Sequence, residues 1–396
     1  MTDSLLTPYR LGSLDLSNRV VMAPMTRNRA DNPENKASEL VARYYAQRAS
    51  AGLIISEGTF VSPQAIGFIN VPGMYSDSQV EGWKAVTKAV HAEGGRIFAQ
   101  LWHVGAISHP DLQPGGGLPV APSAVNPMTN AFTACGFKPT VTPRALETRE
   151  VKGVVREFGL AASRAAHAGF DGVELHGANG YLFHQFFARS MNQRADEYGG
   201  SIENRARFLF EVVAEVRKTF PADRIGLRLN PAVHNLSGVT FDDETLPLFE
   251  YLIARINAEP LAYLHVMEPI NNLDSLPSHL IDPSVAAYFR KQYRGPLIGS
   301  VDYTWDSANE ALRRGDVDLV AFGRAFIANP DLVARFAAGV PLALASRETF
   351  YTGGARGYVD YPRAGEVEES ASHANTVQPR ERYAETRARS RINPDD

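Results

Sequence analysis

A single cysteine, Cys135, stands among 396 residues, so no disulfide can close within the chain and nothing asks for an oxidising compartment. Its expected role is that of a small packing residue. No apolar run approaches the ~20 residues of a membrane span. Met1-Thr2-Asp3-Ser4 lacks the charged and apolar regions of a signal segment, which makes the cytoplasm the expected compartment. Charge is nearly balanced as well: 40 Lys and Arg against 44 Asp and Glu leave a net −4, which argues against nucleic acid or an anionic membrane as the main partner. Neither G-x-G-x-x-G nor G-x-x-x-x-G-K-[ST] occurs, which removes the two commonest nucleotide-binding loops. What remains is an ordinary globular composition, 44% hydrophobic and 21% charged, long enough for one large domain or two medium ones.

One unit repeats along the chain. Short β-rich runs lie at 19–22, 53–57, 96–101, 172–176, 225–229, 263–267, 296–299 and 319–323. Each is followed by a helical stretch, near 37–50, 78–93, 149–167, 201–220, 243–257, 283–293, 305–314 and 330–338. Ser201 reads as an N-cap, Pro283 and Pro330 as first helical residues, and Gly52, Gly94, Gly169 and Gly315 follow helix ends. Eight βα units in strict alternation predict an α/β fold, a (β/α)8 TIM barrel in one domain spanning 1–362. A doubly wound sheet is the alternative. Runs at 9–11 and 14–16, joined by Gly12-Ser13, predict a hairpin that plugs the barrel bottom. The stretch 102–148 is too long for an ordinary βα loop and is expected to carry extra structure over the active face. Residues 363–396, rich in Arg, Glu, Ser and Ala, are expected to form a disordered charged tail.

The densest chemistry sits at the end of the fourth strand, in His176-Gly-Ala-Asn179-Gly-Tyr181-Leu182. A neutral imidazole and an amide can each aim an N–H at one oxygen, while a phenol stays protonated at neutral pH. Two donors beside a proton source suit a reaction that builds enolate charge and then quenches it. In a TIM barrel the catalytic groups occupy the C-terminal strand ends. No lysine falls at such an end, which disfavours Schiff-base chemistry, and His103, His176 and His265 read as scattered singly, which disfavours a metal site. Gly299-Ser300 and Gly323-Arg324 follow strands seven and eight, where barrels commonly hold phosphate.

With the strand ends in hand, the chain resembles the Old Yellow Enzyme family of FMN-dependent ene reductases over roughly residues 5–362. The matching motifs are Asn-Arg-Val-Val-Met-Ala-Pro-Met-Thr-Arg (18–27), Gln-Leu-Trp-His (100–103), His-Gly-Ala-Asn-Gly-Tyr-Leu (176–182), Tyr-Gly-Gly-Ser-Ile-Glu-Asn-Arg-Ala-Arg (198–207), Phe-Gly-Arg-Ala-Phe-Ile-Ala-Asn-Pro-Asp-Leu (322–332) and Gly-Tyr-Val-Asp-Tyr-Pro (357–362). The resemblance implies non-covalent FMN and a reduced nicotinamide, NADPH or NADH. It places Thr26 on flavin O4, Pro24, Met25 and Gly58 against the ring, Gln100 on the pyrimidine edge and Arg228 on the N1–O2 side. Gly299, Ser300, Gly323 and Arg324 would hold the phosphate. His176 and Asn179 would grip the activating group of an α,β-unsaturated carbonyl or nitro compound, with Tyr181 as proton donor, and Phe68, Trp102 and Tyr351 would wall the cleft.

Three departures accompany the resemblance. Val301 stands where many members have a second phosphate-loop glycine, Asn179 where some have a second histidine, and Phe68 where close relatives have tyrosine. The implied activity is a two-step ping-pong reduction of small-molecule activated alkenes by a monomer or homodimer. Nitrate-ester reduction, enal isomerisation and a non-catalytic flavin carrier are the alternatives.

Overall fold

In the computed structural model, residues 4–270 and 273–366 are described. Eight parallel strands close into a barrel: β1 (Val20–Met22), β2 (Leu53–Phe60), β3 (Ile97–Trp102), β4 (Gly172–Gly177), β5 (Ile225–Leu229), β6 (Tyr263–Met267), β7 (Leu297–Ser300) and β8 (Leu319–Phe322). Each strand pairs with its sequence neighbour and β8 returns to β1, so no edge is left open. All eight are buried along their whole length, which is why they read as near-continuous apolar runs.

Helices α1 (Glu39–Ala46), α2 (Asp77–Ala92), α3 (Thr148–His167), α4 (Ile202–Val216), α5 (Thr245–Ala258), α6 (Val285–Arg290), α7 (Trp305–Arg314) and α8 (Leu332–Ala338) follow the strands in turn. Ser201 caps α4 by accepting from the Asn204 N–H, and Gly315 ends α7 at φ 74°. The two prolines fall short of their expected place. The caps are Ser284 for α6 and Asp331 for α8, so Pro283 and Pro330 lie just before the helices rather than inside them. The doubly wound alternative is excluded by closure of the sheet.

The N-terminal hairpin, Tyr9–Leu11 paired antiparallel with Leu14–Leu16, packs Leu11, Leu14 and Leu16 against Leu53, Ile55, Phe98, Tyr263, Ile298 and Leu319. Its turn is tied to Asp223, immediately before β5, by the Ser13 N–H at 3.0 Å, so it closes the end of the barrel where the strands begin. The stretch after β3 holds a second hairpin, Asn130–Thr133 with Gly136–Pro139, and a short parallel pair, Val120–Ala121 with Arg144–Ala145. Cys135 lies exposed, not packed as expected, because it falls in the two-residue turn of that hairpin, where neither Ala134 nor Cys135 is covered.

The chain separates into compact units at Tyr361. Of the unit that begins at Pro362 the described part is a turn in which the Arg363 N–H donates to the Glu366 carboxylate at 2.8 Å. The expected charged tail otherwise lies outside the described residues.

Candidate active site

The mouth is built on strand ends whose register sets which side chains meet. His176 lies opposite Arg228 across β4 and β5, Glu174 opposite Gln100 across β4 and β3, and Arg228 opposite His265 across β5 and β6. β4 then breaks into the loop that carries Asn179 at φ 57° and Gly180 at φ 77°, left-handed conformations that asparagine and glycine tolerate best. Tyr181 follows as the cap of a short helix, Leu182–Phe187. One turn of chain thus gathers three expected catalytic residues. The His176 and Tyr181 rings meet edge to face at 5.0 Å, and Trp102 touches both, at 6.0 Å and 4.8 Å between centroids.

Hydrogen bonds settle which atoms are free to act. His176 Nδ1 accepts from the Ala178 N–H at 3.4 Å, so the proton of the neutral ring resides on Nε2 and makes that atom a donor. Burial, reinforced by the Arg228 charge, holds His176 neutral by pushing its pKa well below the ordinary value. Asn179 Oδ1 accepts from Asn230 Nδ2 at 3.5 Å, which leaves the Asn179 amide hydrogens for another oxygen. Burial, with the neighbouring Tyr351, raises the Tyr181 phenol above its usual value and keeps it protonated.

The expected cofactor residues lie on the barrel strands or just after them. Pro24, Met25 and Thr26 form the loop after β1 and are half-buried. That loop is held by Glu57, whose carboxylate accepts from the Arg27 N–H at 3.4 Å, and by the Arg27 and Arg29 guanidiniums. They donate to the carbonyls of Thr349, Phe350 and Gly357, and so also fix the segment carrying Tyr351. Gly58 sits at a bulge of β2, and a Cβ there would meet Trp102 at 2.3 Å, so the missing side chain makes room for the indole. Phe68 stacks on Trp102 at 5.5 Å and bridges to Phe132, which brings the second hairpin beside the cleft. Tyr351 is 55% exposed at the rim.

The phosphate loop is the least regular part. The Ser300 hydroxyl turns inward to donate to the Val266 carbonyl at 3.2 Å, so only its backbone is available to an anion. Val301 and Asp302 both take positive φ, 80° and 57°; for a β-branched valine that is a strained conformation a glycine would adopt freely. Arg324 is exposed and donates to the Asp302 carboxylate at 2.8 Å.

Local sequence reasoning missed the buried pairing that joins Gln100 to Glu174 and His265 beneath the mouth. Gln100 Nε2 donates to Glu174 Oε1 at 2.8 Å, and Glu174 Oε2 meets His265 Nδ1 at 2.9 Å, all deeply buried. His265 is therefore one member of a network, not a scattered histidine. A glutamate in the otherwise apolar run Val173-Glu174-Leu175 was the available signal. Among the described residues no group of His, Cys, Asp or Glu could hold a metal ion.

The site fits a flavin. Arg228 Nε and Asn230 Oδ1 are buried at the end of β5 with no protein partner among the described residues, a donor and an acceptor that suit a polar heterocycle edge. Comparison with known proteins decides the class: residues 4–343 match the NADH:flavin oxidoreductase / NADH oxidase family. The chain belongs to this family.

It is 41% identical to 12-oxophytodienoate reductase 1 of Oryza sativa subsp. japonica over 374 residues, 93% of this chain and 95% of that protein. Among solved structures, morphinone reductase superposes with a TM-score of 0.86 at 46% identity, covering 92% of this chain and 97% of that one. An Old Yellow Enzyme homologue from Zymomonas mobilis gives 0.85 at 41% identity over 91% of this chain and 99% of its own. The protein is thus an Old Yellow Enzyme-type oxidoreductase, an FMN-dependent ene reductase that draws its electrons from a reduced nicotinamide. None of the alternatives, nitrate-ester reductase, enal isomerase or flavin carrier, is favoured by these relatives.

Proposed function

We propose that His176 and Asn179 hold the activating oxygen of an α,β-unsaturated aldehyde, ketone, imide or nitroalkene while Tyr181 protonates its α-carbon. Bound FMN, reduced by NADPH or NADH, supplies the hydride that reaches the β-carbon. Gln100 and Arg228 would hold its pyrimidine edge, Pro24, Met25, Thr26 and Gly58 line its ring, and Gly299, Ser300, Gly323 and Arg324 carry its phosphate. Phe68, Trp102 and Tyr351 would confine the substrate.

The observation that carries this reading is the tautomer of His176. With Nδ1 occupied by the Ala178 N–H, the ring presents Nε2–H beside the Tyr181 phenol. A donor held neutral by burial strengthens its bond as the substrate oxygen gains charge, so it favours the transition state over the ground state. The half-reactions test it. Tyr181→Phe is expected to leave reduction by NADPH intact and to slow reoxidation by 2-cyclohexenone; equal loss in both halves removes Tyr181 from the proton-donor role.

The balanced charge supports a small-molecule substrate rather than nucleic acid. No helix among the described residues is long and apolar enough to cross a membrane. We place the enzyme in the cytoplasm as a monomer or homodimer, with the barrel of residues 1–362 as one FMN-binding domain.

A further inference from the structure

Four polar side chains occupy one side of the barrel interior, where β3 to β6 lie side by side. Gln100, Glu174 and His265 are 2%, 0% and 0% exposed, and Arg228 is 7% exposed. Glu174 is their centre. One carboxylate oxygen accepts the Gln100 amide at 2.8 Å and the other faces His265 Nδ1 at 2.9 Å. Burial lowers His265, so the ring is a neutral donor to Glu174 rather than a counter-charge. Burial also disfavours the Arg228 charge, and Glu174 is the first group that supports it.

Two consequences follow from elementary chemistry. A carboxylate can face only the NH2 end of an amide, so Glu174 fixes which way Gln100 points and leaves Oε1 as the acceptor that Gln100 offers. A buried carboxylate near a buried guanidinium also offsets its field in a low-dielectric interior, where charge acts over longer range than in water.

We propose that Glu174 is a positioning residue for the flavin: it locks the Gln100 amide with its carbonyl toward the pyrimidine N–H and offsets the Arg228 charge, which holds the flavin's reduction potential down. This rests on the reading that Gln100 and Arg228 face FMN. A flavin gains negative charge at its pyrimidine edge on reduction, so a fixed cation there raises the potential and a fixed anion behind it lowers the potential.

The test is the midpoint potential of FMN-loaded protein by anaerobic dye equilibration, with FMN affinity by fluorescence quenching. Glu174→Gln is expected to favour the reduced flavin about tenfold, or ~30 mV for a two-electron couple, and Arg228→Met to move the potential the other way. Glu174→Asp and His265→Gln retain the carboxylate and are expected to stay near the wild-type potential even where they lower thermal stability. A shift with Arg228→Met but none with Glu174→Gln overturns the proposal and leaves the FMN reading standing. No shift in either variant overturns that reading as well. If Glu174→Gln does not hold FMN, the charge-retaining pair decides: a wild-type potential in both supports the proposal, and a potential that drifts with their stability reduces Glu174 to packing.

Discussion

At the scale of single residues, the proposed chemistry depends on keeping His176 uncharged and Tyr181 protonated, and burial does both. The histidine is displaced downward and the phenol upward, so neither changes charge over a wide range around neutrality. Alkene reduction is therefore expected to be flat from about pH 6 to about pH 9 in single-turnover measurements; an inflection near pH 6.5 that vanishes in His176→Asn would contradict this. Removing the donor altogether in His176→Ala should cost ~3 kcal/mol of transition-state stabilisation, about a hundredfold in kcat/KM. The same change should weaken binding of phenolate ligands. Tyr181→Phe is expected to slow the alkene half-reaction by ~10²-fold or more. That His176, Asn179 and Tyr181 come together was legible because Gly177 and Gly180 mark the end of a buried strand and leave polar groups with little packing reason to be there. Glu174, His265 and Asn230 were not, since what joins them is pairing across neighbouring strands, and cross-strand register is absent from any local stretch of sequence.

Among elements, strands were easier to place than helix ends. β5 and β6 coincide with the expected runs at 225–229 and 263–267, because a parallel strand covered on both faces is a short apolar run with sharp edges. The helices Leu182–Phe187 and Arg324–Ala328 escaped notice, being too short to show a period. The loop after β7 carries one of this chain's departures from its resemblance. Val301 keeps the positive φ that glycine would supply, and Asp302 occupies Arg324. An exposed ion pair of this kind contributes at most ~1 kcal/mol. Asp302→Asn should consequently tighten FMN by up to about fivefold while leaving riboflavin, which lacks the phosphate, unchanged. Equal gains for both flavins would show that Asp302 does not compete with phosphate for Arg324.

For the whole molecule, buried histidines govern the response to acid. Burial lowers His103 to about 3 and His184 to about 4, and pushes His176 and His265 down as well. Below pH 6.5 the unfolded chain binds protons that the folded chain refuses, so this contribution is complete above that pH and is lost as the pH falls. Glu57 acts in the opposite sense. Its folded value, raised to about 7 by burial, withdraws stability as the pH rises from 4.5 toward 7. The four histidines outweigh Glu57 and the likewise raised, half-buried Glu157 and Glu268, so stability to urea should fall between pH 7.5 and pH 5. His184→Gln should shrink that difference by ~2 kcal/mol, and an unchanged difference would remove His184 from the account.

The central claim, a barrel mouth that passes electrons from a nicotinamide to an activated alkene through FMN, is tested most directly by one anaerobic absorbance trace. The purified protein is given NADPH and then 2-cyclohexenone. The flavin band is expected to bleach with the first addition and return with the second. A protein that shows no flavin band after reconstitution with FMN, or a band that NADPH and NADH both leave unbleached, would contradict it.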